Sequence, residues 1–324
     1  MTALAVLGAG AFGTALAVVA ARAGARVSLI GRDPVAMAAM AAARRNETYL
    51  PGLDLPEAIE FTCDPRSLSQ VDAVVIAVPT QGLRAAGEAL AGRIAPGLPV
   101  IAAAKGIEQA SGAFVTAILG QSLPAARAAI LSGPSFAADI VRGLPTAVTL
   151  AASDLALAAR LAGMLSVPSF RIYHTDDVTG VEIGGAAKNV LAIAAGIVVG
   201  SGLGESARAA LIARGFAELR RFANALGARP ETLMGLSGLG DLILTAASSQ
   251  SRNFAYGVAA GRGEPAPAGK LAEGVFTAPA LVAMARRHGV EMPICEAVAG
   301  IVSGRVTVRQ AIAGLIERPQ KSEF

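Results

Sequence analysis

Along the first half of the chain, short β-branched apolar runs alternate with alanine-rich stretches. That alternation predicts strands joined by crossover helices in a parallel sheet. Leu4–Leu7 reads as a first strand, Thr14–Ala23 as a helix closed by Gly24, and Arg26–Ile30 as a second strand. Further strands are expected at 71–78, 99–104, 128–132, 146–151 and 170–174, with helices at 83–94 and 154–165. After Asp177 the strand signals stop, and the chain reads as helices over 178–200, 205–226, 254–260, 277–288 and 307–317. The expected fold class is α/β: a doubly wound parallel sheet over residues 1–176, then an all-helical domain over 177–324. The Gly/Pro-rich stretch 261–270 is expected to be a mobile loop.

Length agrees with two domains, since 324 residues exceed one ordinary core. The net charge of +4 could suit an acidic partner, but the basic residues come as scattered pairs (Arg44 with Arg45, Arg220 with Arg221, Arg286 with Arg287). A solvated surface explains them better than a nucleic-acid groove. Cys63 and Cys295 stand far apart and outside any CxxC spacing, so neither a disulfide framework nor a metal site is expected, and a reducing cytoplasm is the natural compartment. The apolar run 183–204 has about the length of a membrane span, yet it holds Lys188, Asn189 and six glycines. A lysine at a bilayer centre costs about 3 kcal/mol, so no integral membrane segment is expected.

The first chemical motif is GAGAFG at 8–13, after a predicted strand and at the start of a predicted helix. In that context GxGxxG is a dinucleotide fingerprint and makes the sheet Rossmann-type. Gly8 allows the tight turn, Gly10 lets the pyrophosphate approach the backbone, and Gly13 permits close packing while the helix N-terminus faces negative charge. Where the second strand ends, an acid would bind the ribose of NAD and an arginine the 2′-phosphate of NADP. The chain offers both, Arg32 and Asp33, with Arg32 first, so NADPH is expected to be accepted, alongside NADH, unless both are solvated loop charges.

Lys188 is the one charged side chain between Ile183 and Gly204. On a helix its neighbours are Val181, Gly184, Gly185, Ala192 and Ala195, small enough to leave room for a substrate above the ammonium. Burial favours the neutral amine and suits it to pass a proton. The plainer readings are a lysine snorkelling at a helix end, or one paired with Glu182 or Glu205. Other polar groups fall at element ends: Lys105 after a strand, Gly133 and Ser135 in SGPSF, and Asp241 at a helix start with Thr245 one turn on. Asp241 is either an N-cap or the acid that orients a lysine. Ser251, Arg252 and Asn253 before another helix make either a capping turn or a phosphate site.

Taken in order, GAGAFGTAL, AAAKGIE, SGPSFA, GVEIGGAAKNV, ARAALIARGFAE, GLSGLGDLILT, QSRN and LAEG resemble the bacterial-type NAD(P)-dependent glycerol-3-phosphate dehydrogenases over nearly the whole chain. The resemblance implies reduction of dihydroxyacetone phosphate by NADPH or NADH to glycerol 3-phosphate, which supplies glycerophospholipid synthesis. It implies that Lys188 passes the proton and that Lys188 and Lys105 meet charge on the carbonyl oxygen. Lys105, Gly133, Ser135, Asp241, Ser251, Arg252 and Asn253 would hold the substrate. Ala11, Phe12, Arg32, Tyr49, Lys105, Ala137, Arg252, Leu271 and Glu273 would contact the cofactor, and a homodimer is suggested. Members often carry a further arginine after Ser-Arg-Asn, where this chain has Phe254. Two other readings stand beside it: a related two-domain reductase of another hydroxy acid or sugar phosphate, and a dinucleotide-binding sensor without catalysis.

Overall fold

The computed structural model describes residues 2–267 and 271–319. Eight strands form one sheet: β1 Ala3–Leu7, β2 Arg26–Ile30, β3 Ile59–Thr62, β4 Ala73–Ile76, β5 Pro99–Ala102, β6 Arg127–Ser132, β7 Thr146–Ala152 and β8 Phe170–Thr175. Their order is β3-β2-β1-β4-β5-β6-β7-β8. The helices of this region are α1 Ala11–Arg22, α2 Pro34–Ala43, α3 Leu83–Leu90, α4 Val115–Ser122, α5 Ala137–Val141 and α6 Leu155–Leu165. The rest is helical: α7 Val178–Gly200, α8 Glu205–Ala225, α9 Pro230–Met234, α10 Asp241–Ala247, α11 Arg252–Arg262, α12 Glu273–Arg287, α13 Pro293–Val302 and α14 Val308–Ile316. Two compact units result: Met1–Lys105 with Ala113–Glu182, and Gly106–Gly112 with Ile183–Phe324.

In the first unit, successive strand residues serve opposite faces. Leu4 and Val6 of β1, Ala73 and Val75 of β4 and Ile101 of β5 join a core made with α1, α2, α5 and α6. Ala5, Val74, Ile76 and Val100 join the other, with α3, α4 and the first residues of α7. This period of two, apolar on both faces, is what a sheet covered by helices on each side requires. The first six strands are parallel, the 3-2-1-4-5-6 order of a doubly wound nucleotide fold.

The structure departs from the expected parallel sheet at β7, which runs antiparallel to β6, while β8 runs parallel to β7. The β6–β7 connection contains only the short α5, Ala137–Val141. At 1.5 Å per residue such a helix cannot carry the chain back along a strand of roughly 20 Å, so the chain turns around instead. β3 was not expected: it is a four-residue strand with only Ile59 buried, and its order comes from pairing with β2. Neither were α2 and α13, each with proline at its first position, where the fixed φ favours a helix start.

α7 is, among the described residues, the one helix long and apolar enough to cross a membrane, but 89% of its apolar window is buried within the protein. It is a core helix. Its later half meets α11 at backbone distance: Cβ atoms on Gly196 and Gly200 would lie 2.2 Å from the carbonyl oxygens of Phe254 and Val258. In return, Cβ atoms on Gly257 and Gly261 would lie 2.1 and 2.5 Å from those of Ile193 and Ile197. Two glycine pairs spaced by four thus let the helices touch along one ridge each. Gly263, in the left-handed region, ends α11, and of the 261–270 stretch residues 268–270 lie outside the described residues.

Candidate active site

In the first unit the polar groups gather around glycine turns. Gly8 leaves β1 with φ +114°, and a Cβ there would lie 2.6 Å from the Ala77 carbonyl oxygen. A Cβ on Gly13 would lie 1.9 Å from the carbonyl oxygen of Gly8. Gly10 caps α1 with no side chain, and beyond its chain neighbours no protein atom lies within 4 Å of where its Cβ would stand. The first-turn N–H groups of α1, at Ala11 and Phe12, are therefore left uncapped by any side chain beside open space, which fits an anion such as a pyrophosphate. After β2, Arg32 is exposed. Asp33 caps α2, its Oδ1 accepting from the N–H groups of Val35 (2.9 Å) and Ala36 (3.3 Å). Tyr49 stands out from its loop, 58% exposed.

Lys105 lies three residues beyond the end of β5. Its Nζ donates to the Gly133 carbonyl oxygen at 2.7 Å and sits 5.6 Å from the centroid of the Phe12 ring. Ser135 Oγ donates to the same carbonyl at 2.9 Å. Gly133 carries φ +142°, and a Cβ there would press to 2.9 Å from Val148 Cα, so only glycine presents that carbonyl. Ala137 opens α5 just beyond. The structure thus brings Phe12, Lys105, Gly133 and Ser135 together, and leaves Arg32 and Tyr49 on separate exposed loops.

Sequence reading passed over Asn46, which is 2% exposed. Its Nδ2 donates to the Ala9 carbonyl oxygen (3.1 Å) and to Thr14 Oγ1 (2.8 Å). Nothing local in Arg-Asn-Glu-Thr marks it; its partners lie 37 and 32 residues away.

In the second unit the site is made of side chains. Lys188 on α7 is 8% exposed. Its Nζ donates to Asp241 Oδ1 at 2.9 Å and to Thr245 Oγ1 at 2.8 Å, and the Thr245 hydroxyl donates to Asp241 Oδ1 at 3.1 Å. Asp241 and Thr245 are themselves buried on α10. The carboxylate supplies the counter-charge that a buried ammonium needs, so the pairing is neither with Glu182 nor with Glu205. The room expected beside Gly184 is filled. A Cβ there would lie 2.7 Å from the Ser237 carbonyl oxygen and 2.9 Å from Gly238 Cα. The small residue admits the π-helical turn Leu236–Gly240 that leads into α10, which lets Asp241 reach the lysine.

Ser251 caps α11, its Oγ accepting from Phe254 N–H at 3.2 Å, and Arg252 is exposed at the first helical position. Asn253 is turned inward: its Nδ2 donates to Asn189 Oδ1 (2.8 Å) and its Oδ1 accepts from Gly274 N–H (2.9 Å). It ties α11 to the residue after Lys188 and to the start of α12, where Glu273 stands; Leu271 just before is 38% exposed.

Two further buried acids cap helices. Glu182 Oε1 accepts from the N–H and the hydroxyl of Thr116, both at 2.8 Å, at the start of α4. Glu218 accepts from the N–H groups of Ile294 (2.8 Å) and Cys295 (3.2 Å) in the first turn of α13. Burial pushes each carboxyl up to about 7, against the lowering effect of those bonds.

Comparison with known proteins covers both units. Residues 3–158 match the family profile described as NAD-dependent glycerol-3-phosphate dehydrogenase N-terminus, and residues 177–313 match that of its C-terminus. The chain is 59% identical to glycerol-3-phosphate dehydrogenase (NAD(P)+) from Azorhizobium caulinodans over 98% of this chain and 97% of that one. It is 59% identical to a Bradyrhizobium protein of the same name over 99% and 98%. The crystal structure of glycerol-3-phosphate dehydrogenase from Coxiella burnetii superposes with TM-score 0.92 at 36% identity, covering 98% of this chain and 99% of that one. A glycine turn at the end of a central strand, a buried lysine held by an acid and a match that runs through both units lead to one conclusion: the chain belongs to the NAD-dependent glycerol-3-phosphate dehydrogenase family.

Proposed function

We infer that this protein reduces dihydroxyacetone phosphate to glycerol 3-phosphate with NADH or NADPH, reversibly, and so supplies glycerophospholipid synthesis. The observation that carries the chemistry is the buried Lys188 ammonium, held by Asp241 and Thr245 in a chain of this family. The nicotinamide cofactor, when bound, supplies the hydride. Gly8, Gly10, Ala11, Phe12 and Gly13 would hold its pyrophosphate, since the helix start there is open and uncapped. Tyr49, Ala137, Leu271 and Glu273 are proposed as further cofactor contacts. Arg32 supports NADPH, because Asp33 already caps α2 while Arg32 is exposed and suits a 2′-phosphate.

Lys188 donates the proton to the carbonyl oxygen in reduction and accepts it in oxidation, with Asp241 fixing where the ammonium stands. Lys105 adds positive charge toward that oxygen, a preorganised electrostatic effect, and the Gly133 carbonyl oxygen, which also accepts from Ser135, holds its ammonium. Arg252 and Ser251 take the phosphate at the start of α11, with Asn253 setting how that helix begins. The division of labour assigns dinucleotide binding to residues 1–176 and substrate binding to 177–324. Cytoplasmic location and a homodimer complete the proposal.

The test is loss of nicotinamide absorbance on adding dihydroxyacetone phosphate, with NADH and NADPH separately, for the wild type and Lys188→Ala. The wild type should turn over, and the variant should be slowed by about a thousandfold, at the scale of a lost general acid, while still binding cofactor. A wild type inert with both cofactors would remove the activity; a variant as fast as wild type would remove the role of Lys188.

A further inference from the structure

The segment joining α2 to β3 is fastened along its length. Arg44, with φ 50°, donates to the carbonyl oxygens of Ile59 (2.9 Å) and Pro56. Arg45 Nε meets Asp54 Oδ1 at 2.7 Å and closes the neck of the loop, while Leu50 and Leu55 are buried in the sheet core. Inside the loop the Asn46 carbonyl oxygen accepts from the N–H groups of Tyr49 (3.2 Å) and Leu50 (2.7 Å). The turn that carries Tyr49 is therefore built on the backbone of Asn46.

The side chain of Asn46 reaches the glycine turn. Its Nδ2 donates one hydrogen to the Ala9 carbonyl oxygen and one to Thr14 Oγ1. Ala9 stands between Gly8 and Gly10, and Thr14 begins the second turn of α1. In a trans peptide the C=O and the following N–H point in opposite directions. Drawing the Ala9 carbonyl onto Asn46 therefore turns the Gly10 N–H away from it. An apolar residue at 46 would leave the Ala9 carbonyl and the Thr14 hydroxyl without these bonds.

We propose that Asn46 is a positioning residue for the dinucleotide: it sets the peptide plane between Ala9 and Gly10, and it holds the Tyr49 turn at a fixed place relative to that plane. The inference rests on the reading of the Gly8–Gly13 turn as the dinucleotide site. It predicts an effect on cofactor affinity that is separable from chemistry.

Asn46→Ala, Thr14→Val and Thr14→Ser are to be titrated with NADPH, NADH and ADP-ribose by calorimetry, and assayed in steady state. In Asn46→Ala, ADP-ribose and both cofactors should bind about tenfold more weakly, the scale of two lost hydrogen bonds. The cofactor KM should rise by the same factor, while the KM for dihydroxyacetone phosphate and kcat at saturating cofactor stay within about threefold of wild type. Thr14→Val should show a smaller loss of the same kind, and Thr14→Ser should restore wild-type binding. An unchanged cofactor KM in Asn46→Ala, or a fall in kcat with both KM values raised together, overturns the proposal. Should Asn46→Ala fail to fold, equal cofactor affinity in Thr14→Val and Thr14→Ser overturns it in turn. A wild type that binds neither ADP-ribose nor cofactor would overturn the dinucleotide reading as well, and so separates the two failures.

Discussion

The two units build their polar sites from different materials. Around Gly8, Gly13 and Gly133 the first unit uses backbone: two glycines at positive φ, carbonyls at close range and uncapped helix N–H groups. Around Lys188 the second unit uses side chains, an ammonium, a carboxylate and a hydroxyl on two helices. A backbone site binds by shape and dipole and here has no room for a Cβ at Gly8, Gly13 or Gly133, whereas a side-chain site carries a movable proton and depends on a partner for each charge. The contrast fits a division between holding a dinucleotide and moving a proton.

The largest effect should come from the side-chain site. Lys188→Ala should cost about a thousandfold in kcat, and it also removes the Lys188 ammonium from Asp241, 1% exposed. Removing one partner of a buried pair costs about 3–5 kcal/mol, so the thermal midpoint should fall by several degrees along with activity. Lys188→Ala combined with Asp241→Ala should recover part of that midpoint and none of the activity. A double variant no more stable than the single one would mean that the pair is not what the second unit is built around.

How much of each site was legible follows from the same contrast. GAGAFG is readable because a backbone site is written in consecutive residues, and a lone lysine in an apolar run announces a buried charge. The partner of that lysine lies 53 residues on, and only the seating of the 236–240 turn on Gly184 brings it there. Asn46 was invisible for the same reason, since its worth lies in contacts 37 and 32 residues back. The reversal at β7 was missed because a run such as 146-TAVTLA-151 signals a strand and says nothing of its direction. The α7–α11 crossing was available: Gly196 and Gly200, and Gly257 and Gly261, repeat the same spacing in both helices.

The backbone site can be broken without removing any functional group. Gly13→Ala adds one methyl that would start 1.9 Å from the Gly8 carbonyl oxygen, backbone against backbone. Neither atom can swing aside, so the turn must open, at a cost of about 3 kcal/mol, the upper range for overpacking. Cofactor affinity should drop by about a hundredfold, measured by titration with NADPH, with the thermal midpoint of the apo protein lowered as well. Cofactor binding at wild-type strength would show that the turn has slack.

Buried charge in the second unit is not all chemical, and pH separates the two uses. Glu218 has backbone N–H groups as partners, and its carboxyl is raised from an ordinary 4.5 to about 7. Below pH 4.5 both folded and unfolded states hold the proton, and above 7 neither does. Between those limits the folded state holds a proton that the unfolded state has lost, so this group's contribution to stability falls as pH rises. From pH 5.5 to 7.5 the loss is about 2 kcal/mol. Glu218→Gln lacks the titration, so the wild type should lose about that much stability relative to the variant over the same window in urea unfolding. Parallel stability curves would mean that Glu218 is ionised in the folded protein across the range.

The smallest effect tests the finer claim that the side-chain site is positioned as well as charged. Thr245→Val keeps the shape of the residue and the Lys188–Asp241 pair but removes the hydroxyl that touches both at 2.8 and 3.1 Å. One net hydrogen bond is worth about 1 kcal/mol, so kcat should fall roughly fivefold. If Thr245 only fills space, kcat and its pH profile should stay at wild type. If it steadies the ammonium, kcat should fall while the cofactor KM holds and the alkaline or acidic limb of the pH–rate profile moves, and Thr245→Ser, which keeps the hydroxyl, should return both toward wild type. That pattern would place the threonine with the proton rather than with the packing, the same distinction that sets Lys188 apart from the glycine turns of the first unit.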